Sequence, residues 1–336
     1  MTAPLLDVRD LRVTFRGARG TVYAVDGLDF TVGRGEVLGL VGESGSGKSV
    51  SLRAITRLLH AGSEVTGQAL WRGADLLTMD EHTLRRIRGG QVAMVFQEPM
   101  SALNPVLSVG RQIDEVLAAH TDLDQRARST RAEELLGLVG IAAARTRLAQ
   151  YPHEFSGGMR QRAMIAIALA AGPAMLLADE PTTALDVTIQ DQILKLLLRL
   201  VDDLGMGMVL VTHDLGVVAE TCDRVAVMYA GRLCETGRTA DVFTAPRHAY
   251  THALLSSVPG TGAARAMLTP IPGQPPRIDH PMPGCAFAPR CAVAEPRCTT
   301  ERPPMTGTPH ASTGHASACF AADRLAADRL AALVAP

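Results

Sequence analysis

The 336-residue chain is poor in aromatic residues, at 4%, and carries almost no net charge, −1 at neutral pH. The first shortage predicts a core of aliphatic side chains and alanine, because 47% of the residues are still hydrophobic. The second gives no support to a nucleic-acid-binding surface. Long apolar runs are also missing. The longest, Ala163 to Ala178, is too short to span a membrane and is broken by Gly172-Pro173. Asp7, Arg9 and Asp10 interrupt the only early apolar stretch, so no export signal is expected. These absences predict a soluble protein that is not exported. Thiols stay reduced in such a compartment, which disfavours disulfides among the six cysteines and makes metal binding the better expectation for clustered ones. No long internal repeat is present; AADRLAADRLAAL at 321–333 is a short helical echo.

What is present changes character along the chain. Up to about residue 245, short β-rich runs alternate with amphipathic stretches; beyond it Pro259, Pro270, Pro272, Pro275, Pro276, Pro281 and Pro283 predict a loop-rich segment. The expected division is therefore 1–245 and 246–336. Four runs read as buried parallel strands, Val37–Val41, Val92–Phe96, Met175–Ala178 and Met208–Thr212, because each is apolar without alternation. In Val187–Leu204, Ile189, Ile193, Leu196, Leu197, Leu200, Val201 and Leu204 share one helical face. Alternating strands and helices predict an α/β fold with a mainly parallel sheet.

GESGSGKS, Gly42 to Ser49, fits the pattern G-x-x-x-x-G-K-[ST] and lies between a strand and a helix. Gly42, Gly45 and Gly47 let the backbone wrap a phosphate chain with its N–H groups exposed. The helix N-terminus adds partial positive charge there. Lys48 is placed to reach the β- and γ-phosphates and the Ser49 hydroxyl to ligate Mg²⁺. AMLLADEP ends an apolar strand in Asp179-Glu180. Carboxylates at the C-terminal edge of a parallel strand face the ligand crevice. Asp179 is expected to hold Mg²⁺ and Glu180 to polarise the attacking water.

With FSGGMRQR, Phe155 to Arg162, just before that strand, the chain resembles the ATP-binding cassette (ABC) ATPases; Phe and Met stand where the LSGGQ signature has Leu and Gln. Gln97 in VFQEP matches the Q-loop glutamine, Asp186 in TALD the D-loop, and His213 in VTHD the switch histidine. Phe15 matches the aromatic residue that stacks on adenine, with Tyr23 as a second candidate. The resemblance covers residues 5–245 and implies a P-loop NTPase cassette with a helical subdomain at about 105–170. It implies ATP and Mg²⁺ as ligands, with Gly42, Ser44, Gly45, Ser46, Gly47, Lys48, Ser49 and Val50 around the phosphates and Ser49, Gln97 and Asp179 around the metal. Glu180, His213 and Gln97 are the implied catalytic residues. Two cassettes would pack head to tail, with Ser156, Gly157 and Gly158 facing the partner's ATP; Asp186 of the D-loop is a further implied nucleotide-binding residue.

FQEPMSALNP, DEPTTALDVTIQDQIL, PRHAYTHALLSSVP and GCAFAPRC resemble one branch, the dipeptide, oligopeptide and nickel importer ATPases. That implies an ATPase at the cytoplasmic face of the membrane, powering peptide uptake. Its implied partners are a second homologous ATPase, two transmembrane permeases and an external solute-binding protein, with no nucleic acid. Nickel, glutathione or another small solute as cargo stays open, as do a non-transport ABC ATPase and a metal-sensing regulator.

Cys285, Cys291, Cys298 and Cys319 form a C-x5-C-x6-C-x20-C set, looser than usual zinc spacing. Four thiolates can hold a [4Fe–4S] cluster, and some members of the branch carry one on a similar set. A cluster is therefore expected, with zinc or unligated cysteines as alternatives. His280, His310 and His315 are near enough in sequence to replace one ligand, although a surface or structural role is expected of them. Cys222 and Cys234 are expected to be small buried hydrophobes.

Overall fold

The computed structural model describes residues 3–17, 20–183, 185–257, 270–307 and 314–327. In chain order the strands are β1 Leu6–Gly17, β2 Gly20–Val32, β3 Val37–Val41, β4 Ser63–Trp71, β5 Ala74–Asp75, β6 Val92–Val95, β7 Met175–Asp179, β8 Gly207–Thr212, β9 Arg224–Tyr229, β10 Arg232–Arg238 and β11 Ala316–Ser317. The helices are α1 Lys48–Ile55, α2 Glu81–Ile87, α3 Pro99–Ala102, α4 Val109–His120, α5 Gln125–Leu138, α6 Ala144–Arg147, α7 Gly157–Leu169, α8 Val187–Leu204, α9 Leu215–Thr221, α10 Thr239–Thr244 and α11 Ala249–Ser256. They fall into two compact units, one of 1–32, 37–77 and 212–336, the other of 33–36 and 78–211.

The first unit holds β3 beside β9 in parallel, with β10 and β11 added antiparallel. All five residues of β3 are buried, as its unbroken apolar run predicts. Gly39 allows α9 to approach this strand: a Cβ there would meet Cys222 Sγ at 2.9 Å. A second sheet, in the order β2-β1-β4-β5, is antiparallel. Sequence reading missed it. Its strands are half-buried, and a register irregularity at Arg9–Arg12, with Asp10 at φ 43°, breaks the alternation that marks such strands. Gly67 fits against this bulge because a Cβ would lie 2.3 Å from the Asp10 carbonyl oxygen.

The Pro-rich segment after residue 245 also belongs to the first unit. Its regular structure is sparse: α11, two 3₁₀ turns at Ala288–Arg290 and Pro296–Thr299, and β11. Buried Glu235 on β10 anchors it, accepting hydrogen bonds from the Arg247 and His248 backbone N–H groups at 2.6 and 2.9 Å.

In the second unit β6, β7 and β8 are parallel neighbours. α8 spans the expected residues and buries Ile193, Leu194, Leu196, Leu197, Leu200 and Val201. Leu204 is exposed instead, because the helix ends there in the left-handed cap of Gly205. From Val109 to Leu169 the unit is mainly helical. Cys222 and Cys234 are both buried.

Candidate active site

In the first unit the loop between β3 and α1 has the backbone that its glycines predict. Gly42, Gly45 and Gly47 have φ of 151°, 77° and 101°. A Cβ on Gly42 would lie 2.1 Å from the Met228 carbonyl oxygen, and one on Gly47 2.4 Å from that of Ala24. No side chain fits at either position. Ser44 and Gly45 are exposed, Ser46, Gly47 and Lys48 buried, Ser49 and Val50 half-buried. Lys48 Nζ donates to the carbonyl oxygens of Gly42 and Glu43 at 2.7 and 2.9 Å and to Ser46 Oγ at 3.3 Å. A buried ammonium resting on loop carbonyls stays within reach of any anion that the loop takes up.

Outside the loop, the first unit holds three further expected residues. Phe15 is half-buried and its ring stacks on His60, with centroids 5.2 Å apart. Tyr23 is half-buried on β2, and its N–H donates to the Ile278 carbonyl oxygen at 2.7 Å. His213 is exposed directly after β8, and Asp214 beside it caps α9, accepting from the N–H groups of Gly216 and Val217.

In the second unit, β7 ends in fully buried Asp179. Glu180 follows in a left-handed conformation, φ 45°. That backbone is uncommon for a residue with a Cβ and marks functional positions more often than structural ones. Glu180 Oε2 accepts from Gln97 Nε2 at 3.2 Å and from Thr183 Oγ1 at 2.8 Å. The structure thus brings Gln97 and Glu180 together and adds Thr183, which sequence reading did not single out. The side-chain oxygens of Gln97 and Asp179, both in this unit, are hard donors of the kind that Mg²⁺ takes. Ser156 caps α7, its hydroxyl accepting from Met159 N–H at 3.3 Å, and Ser156 and Gly157 are exposed at the helix start. Gly158 is needed for packing, since a Cβ would lie 3.0 Å from Ile189 Cγ2. Asp186 caps α8 through Ile189 N–H at 2.9 Å.

This geometry has relatives. Residues 25–183 match the ABC transporter family, and residues 234–298 match the C-terminal region of oligopeptide/dipeptide transporters. A probable peptide ABC transporter ATP-binding protein of Sinorhizobium fredii is 50% identical over 305 residues, 90% of this chain and 91% of the relative. A putative peptide import ATP-binding protein of Brucella melitensis is 51% identical over 315 residues, 90% of this chain and 93% of the relative. The chain belongs to the ABC transporter ATP-binding proteins. Among solved structures it resembles the ATP-binding cassette MJ0796 in a dimeric post-hydrolysis state with ADP and phosphate, with a TM-score of 0.63 and 28% identity over 70% of this chain and 98% of that one. The ABC cassette hydrolyses ATP, so this chain is an ATPase. Among the described residues no helix is long and apolar enough to cross a membrane.

The ABC ATPase also carries the cysteine set. All six cysteines are free thiols. Cys285, Cys291, Cys298 and Cys319 line a single cavity of about 20 Å³, together with His248 and Glu295. Burial pushes the Cys285 thiol up to about 11 and raises Cys291 and Cys319 as well. Sequence reading missed His248. Its Nε2 lies 4.0 Å from Cys285 Sγ, and burial lowers it to about 4, leaving a neutral ring whose Nδ1 accepts from Tyr250 N–H. Of the histidines weighed as substitute ligands, His280 pairs with Asp279 and His315 with Glu235, each at 2.7 Å; His310 lies outside the described residues. Among the described residues no three His, Cys, Asp or Glu side chains are grouped to hold a metal ion. The expected iron–sulfur cluster, and zinc as its alternative, thus have no preformed site there.

Proposed function

We propose that this ATPase powers a membrane importer of di- and oligopeptides. The observation that carries the reading is the match of residues 234–298 to the oligopeptide/dipeptide transporter C-terminal region, joined to an ABC cassette and mirrored in the names of relatives half identical along most of their length. In this reading the 42–49 loop holds the ATP phosphates, and Ser49, Gln97 and Asp179 hold Mg²⁺, which neutralises phosphate charge. Glu180 orients and activates water, His213 contacts the γ-phosphate, and Phe15 or Tyr23 stacks on adenine. Ser156, Gly157 and Gly158 serve the ATP of a second, homologous cassette, and Asp186 belongs to the nucleotide-binding set.

The remaining partners in the proposal are two permeases and an external solute-binding protein, which place the ATPase peripherally at the membrane's cytoplasmic face. The exposed apolar side chains of Met100 and Val106, 57% and 75% accessible in the stretch after Gln97, support a docking surface for a permease. Deleting the gene should abolish uptake of a labelled dipeptide. Intact peptide uptake with lost uptake of nickel or glutathione would change the cargo and keep the importer. Intact uptake of all three would remove the importer reading.

We propose further that the four cysteines take up a [4Fe–4S] cluster, with zinc as the competing occupant. What supports this is the convergence of four free thiols on one cavity in a segment with little regular structure. Binding must displace protons from the thiols, and burial of Cys285, Cys291 and Cys319 favours their neutral form. Anaerobic purification should give about four irons and four sulfides per chain. Cys291→Ser should lose most of that metal; full retention would exclude Cys291 as a ligand.

A further inference from the structure

Glu43 is the second residue of the 42–49 loop, and it is an acid in a loop that must receive a polyanion. An unscreened carboxylate there opposes phosphate binding. The structure shows how it is answered. Arg290 meets Glu43 fork to fork, Nη1 to Oε2 at 2.7 Å and Nη2 to Oε1 at 3.0 Å. The guanidinium is only 5% exposed. Two more of its N–H donors are engaged: Nε with the Pro272 carbonyl oxygen at 2.7 Å and Nη1 with Tyr229 Oη at 3.0 Å. It lies over the rings of Tyr229 and Phe287, 5.7 and 5.8 Å from their centroids. The Glu43 backbone is held as well, since its N–H donates to Tyr250 Oη at 2.7 Å.

Tyr229, Tyr250 and Arg290 come from β9, α11 and the 3₁₀ turn between Cys285 and Cys291, far from the loop in sequence. We propose that Arg290 is a positioning residue for nucleotide binding: it cancels the Glu43 charge and fixes the loop, so that the C-terminal segment sets the affinity of the loop for a nucleoside triphosphate. A rigid, planar, always-charged fork suits this task better than a lysine. The inference rests on the reading that residues 42–49 hold the ATP phosphates.

A charge cycle tests it on the full chain, with Mg-ATP and Mg-ADP as probes and thermal melting as the check on folding. Arg290→Met should weaken Mg-ATP binding about tenfold, Mg-ADP less, and the loss should shrink at high salt. Glu43→Gln leaves the arginine uncancelled and should tighten Mg-ATP binding several-fold. The double variant should return to near wild-type affinity, which a purely structural role for Arg290 does not predict. A double variant as weak as Arg290→Met would overturn the proposal, and so would unchanged affinity in either single variant. Should Arg290→Met fail to fold, Glu43→Gln and the double variant decide. Lys48→Ala run alongside separates the two readings: if it binds Mg-ATP normally, the loop assignment fails first.

Discussion

Glu180→Gln should bind Mg-ATP within about twofold of the wild type while its turnover falls by a hundredfold or more, the usual scale for loss of a general base. The substitution is close to isosteric. Its amide oxygen can still accept from Gln97 Nε2 and Thr183 Oγ1, the two donors that hold the carboxylate. The left-handed backbone at φ 45°, tied by Glu180 N–H to the Val211 carbonyl oxygen at 3.0 Å, does not depend on side-chain charge. Basicity is therefore the property removed, and positioning is kept. Phosphate release and nucleotide affinity, measured on the same preparation, check the split. Unchanged turnover would move the water-activating role to another group.

Lys48→Ala should act on binding instead. The ammonium holds the loop through Gly42, Glu43 and Ser46, and exchanging those acceptors for phosphate oxygens is the gain that ATP brings. A charge-assisted hydrogen bond lost without replacement costs about 2–3 kcal/mol, roughly a 30- to 150-fold loss of affinity. Equilibrium binding of Mg-ATP at two salt concentrations measures it. The loss should be smaller at high salt, where charge contributes less. Normal affinity would remove the phosphate-loop assignment. A variant that also melts early would show that the ammonium braces the empty loop as well.

Both predictions concern residues that were legible in the sequence, and for the same reason. The 42–49 loop is a local object. Its glycines answer to positive φ and to carbonyl oxygens 2.1 and 2.4 Å from any added Cβ, so spacing alone reports the shape. The buried strands Val37–Val41 and Met175–Asp179 and the helix Val187–Leu204 are likewise local, because apolar runs and a 3.6-residue stripe act within one element. The antiparallel sheet of β1, β2, β4 and β5 was not legible. Its strands are half-buried, and the bulge at Asp10 shifts the alternation out of phase.

The four cysteines show the limit more sharply. Their loose spacing said that they could share a ligand, and they do line one cavity. Spacing could not say that the cavity would hold about 20 Å³, or that a neutral His248 would stand beside Cys285. Those are volumes and distances set by how the Pro-rich segment packs.

By itself the sequence determined the shape of the 42–49 loop, the acids Asp179 and Glu180 at the end of an apolar strand and the family of ATPases to which the chain belongs, because each is written in a short run whose backbone chemistry is local. Only the tertiary structure decided that Glu43 is answered by Arg290 and Tyr250. Those contacts join residues 247 and 207 positions apart. No periodicity or spacing reaches that far; packing does, and it gives a buried guanidinium one carboxylate to neutralise.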